Sequence, residues 1–200
     1  YLSLEIAEPV VQLDADGTVS QIAASHRFEA HLMVEEAMLA ANVSVAHFFV
    51  SRAEKSLFRV HADPDSLKLE QFNELMEKFG HEKYPTFDVT ALSAGLAEIT
   101  DDQKRDLLSM NLLRAMKKAE YTVEPNKHYG LGFEHYLHFT SPIRRYPDLI
   151  VHRQVRKLLR GETSKGGRPL IEIALQSNRK ERLALEVERD LVALYKCIWL

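Results

Sequence analysis

Apolar and polar residues alternate with different periods along the chain, and the pattern predicts short strands followed by long helices. In residues 1–22, the stretches "LSLEI", "VVQL" and "TVSQI" have the period-two pattern of strands. The sequence "DADG" between the last two favours a tight turn. The beginning of the chain is therefore predicted to form a β-hairpin.

Two helices and a further strand are predicted next. Apolar residues at helical spacing, with few polar residues among them, predict a long and largely buried helix over residues 26–50. Residues 57–60 have the composition of a short strand. Pro64 favours the start of another helix, which is expected to run to Phe79 because Gly80 favours a helix end.

The second half of the chain continues this pattern. Asp88 and Asp101 are predicted to be the N-caps of helices over residues 89–98 and 102–118. The alternating stretch "EHYLHF" is predicted to be a strand.

A long helix dense in charge is expected over residues 170–200, where helical spacing brings together Glu181, Leu185 and Glu188. Helices with a few strands define the α+β class.

The stretch "HFTSPIRRYPDLIVHR" has the sequence features of an anion site at a helix start. Thr140 or Ser141 can cap a helix whose first position is Pro142. Free backbone N–H groups and the positive end of the helix dipole would then lie beside Arg144 and Arg145. A phosphate is the anion that such an arrangement commonly binds.

A simpler interpretation of the same stretch is a capped surface helix. Arg144 and Asp148 have the i, i+4 spacing of a helical ion pair. Pro147 would lie in the second turn, where a kink or an early irregularity is expected. On spacing alone this interpretation is slightly favoured over the anion site.

Carboxylates form a second candidate set. Glu35 and Glu36 interrupt an apolar helix, and adjacent residues point about 100° apart, so only one of them is expected to face a site. Glu36 with Asn42 could bind a hydroxylated ligand, and Glu188 could reach into a cleft. Ordinary ion pairs or solvent-exposed charges are the alternatives, and the pattern alone favours them.

The composition restricts these interpretations only slightly. Hydrophobic residues make up 46% and charged residues 28% of 200 residues, which is typical of one globular domain. The net charge of -3 neither indicates nor excludes nucleic-acid binding, because a local basic surface is enough.

Further sequence features argue against several classes of protein. The single cysteine, Cys197, excludes a disulfide framework within the chain and zinc sites of the Cys–Cys type, and it is typical of intracellular proteins. The sequence has no run of about 18 apolar residues, which a membrane span would require. Pairs of potential metal ligands are better explained as strand, cap and turn residues: His135 with His138, His61 with Asp63, and Asp14 with Asp16.

Four segments in order carry a family resemblance: "HLMVEEAMLAANVSVAHFF", "LFRVHADPD", "HYGLGFEHYLHFTSPIRRYPDLIVHR" and "VERD". They resemble signature segments of the RNB exoribonucleases, the ribonuclease II and ribonuclease R family, with ribonuclease R the nearer group. The resemblance spans essentially the whole chain. It implies a helix-rich α+β part of an RNB catalytic domain, residues 1–200 being its C-terminal portion.

The resemblance also implies a function. Members of the family remove nucleoside monophosphates processively from the 3′ end of single-stranded RNA, using Mg²⁺ held by aspartates. It implies that Arg144 contacts the scissile phosphate. Arg145 is implied to be a structural residue or to contact the RNA backbone. Glu188 and Glu36, less surely Glu35, are implied to recognise the terminal nucleotides.

The metal-binding aspartates and the flanking oligonucleotide-binding barrels of the family have no counterpart in this sequence. The Mg²⁺ ligands are therefore expected upstream, and the chain alone is expected to be inactive. The resemblance further implies a protein that is monomeric and cytoplasmic and has no membrane partner. Two alternatives stay open: a noncatalytic RNA-binding relative, and a helical protein-interaction module.

Overall fold

The computed structural model describes residues 9–24, 28–86, 88–162 and 169–199. Its strands are β1 (Pro9–Leu13), β2 (Val19–Ala24), β3 (Phe58–Val60) and β4 (Glu120–Thr122). Its α-helices are α1 (Glu29–Val50), α2 (Ser66–Lys78), α3 (Val89–Ala97), α4 (Asp102–Ala115), α5 (Tyr146–Leu159) and α6 (Leu170–Trp199). A short 3₁₀ helix covers Tyr129–Leu131. The predicted α+β class is confirmed.

The predicted N-terminal hairpin is confirmed for its second half. Strands β1 and β2 pair antiparallel, with Gln12 opposite Gln21. Gly17 takes the left-handed conformation that the turn requires, at φ 85°. Hydrogen bonds from Thr18 to the carboxylate lower the pKa of Asp16, which is therefore a turn residue. The stretch "LSLEI" lies outside the described residues.

Helix α1 has the predicted extent, but the prediction that it is largely buried is wrong. Its buried side chains all lie in the C-terminal half: Leu39, Asn42, Ala46 and Phe49. Leu32, Met33 and Val34 in the N-terminal half are exposed. Helical periodicity shows which residues share a face, but it does not show whether another element covers that face.

Helix α1 is also long and apolar enough, by length and composition alone, to cross a membrane. Glu35 and Glu36 interrupt it, so it is not an unbroken run of about 18 apolar residues. Core helices of globular proteins can have the same composition. Ala46 and Phe49 are fully buried against other elements of the fold, which favours the core interpretation.

The main hydrophobic core joins the C-terminal half of α1 to β3, β4, α5 and the first turns of α6. Strands β3 and β4 pair antiparallel, with Arg59 opposite Tyr121. The buried residues of this core are Ala46, Phe49, Leu57, Phe58, Tyr121, Leu137, Val151, Ile173 and Ala174.

Helices α2, α3 and α4 enclose a second core, which consists of Phe72, Met76, Leu92, Leu96, Ile99, Leu108 and Leu112. The predicted caps are confirmed, because Asp88 accepts from the Ala91 N–H and Asp101 from the Lys104 N–H. Helix α2 begins one residue after its own cap, Asp65, rather than at Pro64.

The prediction that "EHYLHF" forms a strand is wrong. Its only ladder contact among the described residues is a single antiparallel bridge between Leu137 and Phe58. The Tyr136 carbonyl accepts from the Arg59 N–H at 2.8 Å. These contacts hold the segment against β3 without extending the sheet, and Tyr136 and Leu137 are its buried side chains.

Candidate active site

The residues before α5 form a compact turn rather than the first turn of a helix. The N–H groups of Arg144 and Arg145 both donate to the Ser141 carbonyl, at 3.3 and 3.0 Å. Helix α5 begins only at Tyr146, so the predicted cap at Thr140 or Ser141 and the predicted start at Pro142 are wrong.

The irregularity expected near Pro147 lies before it, in the turn at residues 141–145, and Pro147 itself does not kink a helix. Pro147 is the second residue of α5, in the first turn, where no backbone N–H has a helical partner. The proline therefore stabilises the helix start without breaking a helical hydrogen bond.

A fully buried carboxylate holds this turn. Asp148 Oδ1 accepts from the Ser141 N–H and from Arg145 Nη2, both at 2.8 Å. The expected pair between Arg144 and Asp148 is therefore wrong, because Arg145 is the ion-pair partner. The same turn leaves Ile143 fully exposed and Arg144 exposed next to it.

Polar contacts of Asn178, Glu181 and Arg182 fix helix α6 to the sheet. Asn178 accepts from the Tyr121 N–H at 2.8 Å and donates to the Tyr121 carbonyl at 3.0 Å. Glu181 receives both arms of the Arg59 guanidinium, at 2.7 and 2.9 Å. Paired hydrogen bonds of this kind fix orientation as well as distance.

The turn and α6 together enclose a cavity of about 660 Å³. It contains Arg144, Arg145 and Glu188, three of the residues proposed from the sequence. Its remaining lining residues are Tyr121, Tyr146, Pro147, Gln176, Ser177, Lys180, Glu181, Ala184 and Leu185. Guanidinium groups and carboxylates facing one space can bind a ligand that carries both phosphate and hydroxyl groups.

Arg145 also lines a second cavity, of about 400 Å³, against α1. This cavity is formed with His31, Val34, Glu35, Met38, Leu39, Asn42 and Tyr136. Glu35, and not Glu36, is the α1 carboxylate that lines it. Because adjacent helical residues point in different directions, the rotation of α1 decides which glutamate faces the cavity.

A polar and aromatic cluster lies between α1 and the sheet. Asn42 donates to the Tyr136 hydroxyl at 2.9 Å and accepts from the Phe139 N–H at 2.8 Å. The Tyr121 hydroxyl is 2.9 Å from His138 Nδ1, and burial raises the pKa of Tyr121 to about 12.

Burial also determines the charge of the histidines in this cluster. It lowers the pKa of His138 to about 2, and the nearby Arg145 and Arg59 charges act in the same direction. It lowers the pKa of His128 to about 3, assisted by the charge of His61. Both imidazoles are therefore neutral at pH 7.

A third cavity, of about 770 Å³, shares Glu181 and Leu185 with the first. It is lined by six cationic side chains: Arg59, Arg114, Lys117, Lys118, Arg182 and Arg189. Its two carboxylates are already neutralised, Glu181 by Arg59 and Glu120 by Arg182. The cavity is therefore positive overall and suited to an anionic polymer.

Within the described ranges, no three side chains of His, Cys, Asp or Glu are grouped so that they could hold a metal ion. The described residues therefore do not fit a catalytic metal site.

Several residues that build the site were not identified from the sequence. Asn178 and Arg59 act through contacts with distant segments, so local spacing contains no signal for them. Asp148 is expected from spacing only as a partner of Arg144, whereas the structure pairs it with Arg145. Asn178 in the middle of a helix and Asp148 in an otherwise apolar helix start are the only hints, because such polar residues need partners when buried.

Comparison with known proteins identifies the class to which this fold and site belong. The RNB domain family matches residues 1–161, and the chain therefore belongs to the RNB family. The similarity is to ribonuclease R in particular. The Escherichia coli (strain K12) ribonuclease R is 33% identical over 213 residues, covering 98% of this chain and 26% of that protein.

Solved structures give the same result. Mycoplasma genitalium RNase R in complex with double-stranded RNA matches 100% of this chain and 37% of its own, with 28% identity and a TM-score of 0.89. The same protein in complex with ribose methylated single-stranded RNA matches with a TM-score of 0.85. Yeast Ssd1, a pseudonuclease, matches 78% of this chain and 20% of its own, with 25% identity and a TM-score of 0.66.

Proposed function

We propose that this chain is part of a processive 3′→5′ exoribonuclease that hydrolyses single-stranded RNA to nucleoside 5′-monophosphates. The observation that carries the proposal is the shared cavity of Arg144, Arg145 and Glu188 in a chain of the RNB family. In this cavity the Arg144 guanidinium binds the scissile phosphate and stabilises the charge that develops on it. Glu188 accepts hydrogen bonds from ribose hydroxyls of the terminal nucleotides.

The other proposed contacts extend along the RNA. Arg145 lies between the two smaller cavities, so it supports the phosphate end while Glu35, which lines the second cavity in place of the expected Glu36, recognises an adjoining nucleotide. The positive third cavity supports an RNA partner, because RNA carries one negative charge for each phosphate.

The whole protein is proposed to require Mg²⁺, whose ligands would come from residues beyond those described. Bound Mg²⁺ would activate water and stabilise the leaving oxygen in this family. Residues 1–200 are proposed to be the C-terminal portion of the catalytic domain, to be inactive alone, and to act in a monomeric cytoplasmic enzyme.

The proposal is tested with the full-length protein and a 5′-labelled single-stranded RNA in Mg²⁺. We expect stepwise shortening from the 3′ end and release of nucleoside 5′-monophosphates. Arg144→Ala should lower kcat about 100- to 1,000-fold, the usual effect of removing one preorganised electrostatic donor, and change the Kd for RNA much less. Arg153→Ala, which removes an exposed arginine on α5, is the matched control.

An equal loss of kcat and of RNA affinity in Arg144→Ala would contradict the catalytic role of Arg144. Tight RNA binding without any shortening by the wild type would instead favour a noncatalytic RNA-binding protein. That second function has its own support, because a pseudonuclease is among the structures that the chain matches.

A further inference from the structure

Asp148 holds both ends of the turn that contains Arg144. The Arg144 side chain is exposed and has no hydrogen bond or ion pair within the described part of the chain. Its guanidinium is therefore placed only by its backbone, and the backbone at Arg144 belongs to the turn that Asp148 holds. We propose that Asp148 is a positioning residue for Arg144. The proposal rests on the function proposed above.

A single atom of Asp148 holds both ends of the turn. Asp148 Oδ1 accepts from the Ser141 N–H at the beginning and from Arg145 Nη2 at the end, each at 2.8 Å. Displacing either end therefore strains the contact to the other. Arg144 lies between these two ends and moves with them.

The charge of Asp148 is part of this anchor. A buried carboxylate is unfavourable unless it is paired, and Asp148 is fully buried with the Arg145 guanidinium as its ionic partner. Among the described residues, Arg145 Nε and Asp148 Oδ2 have no hydrogen-bond partner. They are the complementary donor and acceptor of a two-pronged Arg–Asp fork, so the pair can tighten without moving the backbone.

The arrangement connects the turn to catalysis, because small displacements matter at a reacting phosphate. A misplacement of about 1 Å can lower a rate about 100-fold even when the mutated residue does not touch the substrate. Asp148 is buried below the cavity and does not line it. Its effect on the reaction must therefore pass through the turn.

The test uses Asp148→Asn in the full-length protein. The asparagine keeps the side-chain shape and the oxygen that accepts from the Ser141 N–H, but it removes the charge that holds Arg145. With single-stranded RNA and Mg²⁺, we expect kcat to fall about 10- to 100-fold and KM to change less than about 3-fold. Ile99→Val in the second core is the control for a mild loss of stability away from the site.

A double-mutant cycle separates positioning from general destabilisation. In an Arg144→Ala background, Asp148→Asn should lower kcat by less than about 3-fold, because the residue that it positions is already absent. A full additional 10- to 100-fold loss, of about the size in the wild-type background, would overturn the proposal. If Asp148→Asn fails to fold, Arg145→Lys tests the other side of the same pair and should show the same non-additivity.

Limited digestion with trypsin reports on the turn without using catalysis. Cleavage after Arg144 and Arg145 should be about 10-fold faster in Asp148→Asn than in the wild type or Ile99→Val, because local opening exposes the bond. An unchanged cleavage rate would overturn the proposal. A wild type without ribonuclease activity would refute the proposed function instead, and the digestion would still decide whether Asp148 holds the turn.

Discussion

Two half-buried histidines make the fold sensitive to acid in a pH range that is easily measured. His128 and His138 are neutral in the folded chain, where burial lowers their pKa values to about 3 and about 2. In the unfolded chain both return to an ordinary pKa of about 6.5. A depressed pKa in the fold stabilises the protein above pH 6.5, and this stability is lost as the pH falls from about 6.5 toward about 3.

The size of the effect follows from the shifts. Below about pH 6.5 each histidine binds a proton in the unfolded chain but not in the folded chain. The free energy of unfolding therefore falls by about 1.4 kcal/mol per histidine for every pH unit below about 6.5. At pH 5, about 1.5 units below that value, His128 and His138 together remove about 4 kcal/mol. For a chain of this size, the melting temperature should fall by about 8–16 °C. His61 acts in the same direction, because burial lowers its pKa as well.

Urea unfolding of the chain, followed by circular dichroism between about pH 7.5 and pH 5, measures the effect. His128→Asn keeps the acceptor that His128 Nδ1 offers to the Leu131 N–H, and it should reduce the pH slope by about half. His31→Asn, which replaces an exposed histidine, is the matched control. A free energy of unfolding that varies by less than about 1 kcal/mol over this range would refute the reasoning.

Two substitutions test the contacts that place the site. Asn178→Ala removes two buried hydrogen bonds to Tyr121 and should lower the free energy of unfolding by about 2–4 kcal/mol, whereas Asn111→Ala on α4 serves as the control. Urea midpoints and faster amide exchange at Tyr121 would show it, and unchanged exchange would contradict it. Gly130→Ala would place a Cβ 2.8 Å from His61 Nδ1 and break the hydrogen bond from the Gly130 N–H. It should cost about 1–3 kcal/mol in the same urea experiment, and a neutral result would disprove the close packing.

The parts of the fold that the sequence predicted correctly depend on neighbouring residues. Asp88 and Asp101 cap helices by accepting from N–H groups three residues later, so a short window of sequence contains the whole interaction. The turn at Gly17 is equally local, because glycine readily takes a positive φ. These features do not depend on what packs against them.

The start of α5 shows why other predictions failed. Ser141 followed by Pro142 is a typical beginning of a helix, and local preference alone favours it. In the structure the Ser141 N–H donates to the fully buried Asp148, seven residues later. This contact outweighs the local preference and moves the helix start to Tyr146.

The candidate site was only partly accessible from sequence for the same reason. Helical spacing places Glu181 and Glu188 on one face of α6, but it does not say which element that face meets. The contacts of Asn178 and Glu181 with Tyr121 and Arg59 determine this. The family resemblance supplied the pairing of Arg144 with Glu188, and their common cavity agrees with it.

The attachment of α6 has a mechanical consequence. Its buried residues end at Asn178, and Glu188 lies ten residues further, about 15 Å along the helix axis at 1.5 Å per residue. A tilt of the helix by about 5° at Asn178 would therefore move the Glu188 carboxylate by about 1.3 Å. The Arg59–Glu181 pair shortens the free arm to about 10 Å. The distance between Arg144 and Glu188 across their common cavity is thus set by the angle of one helix.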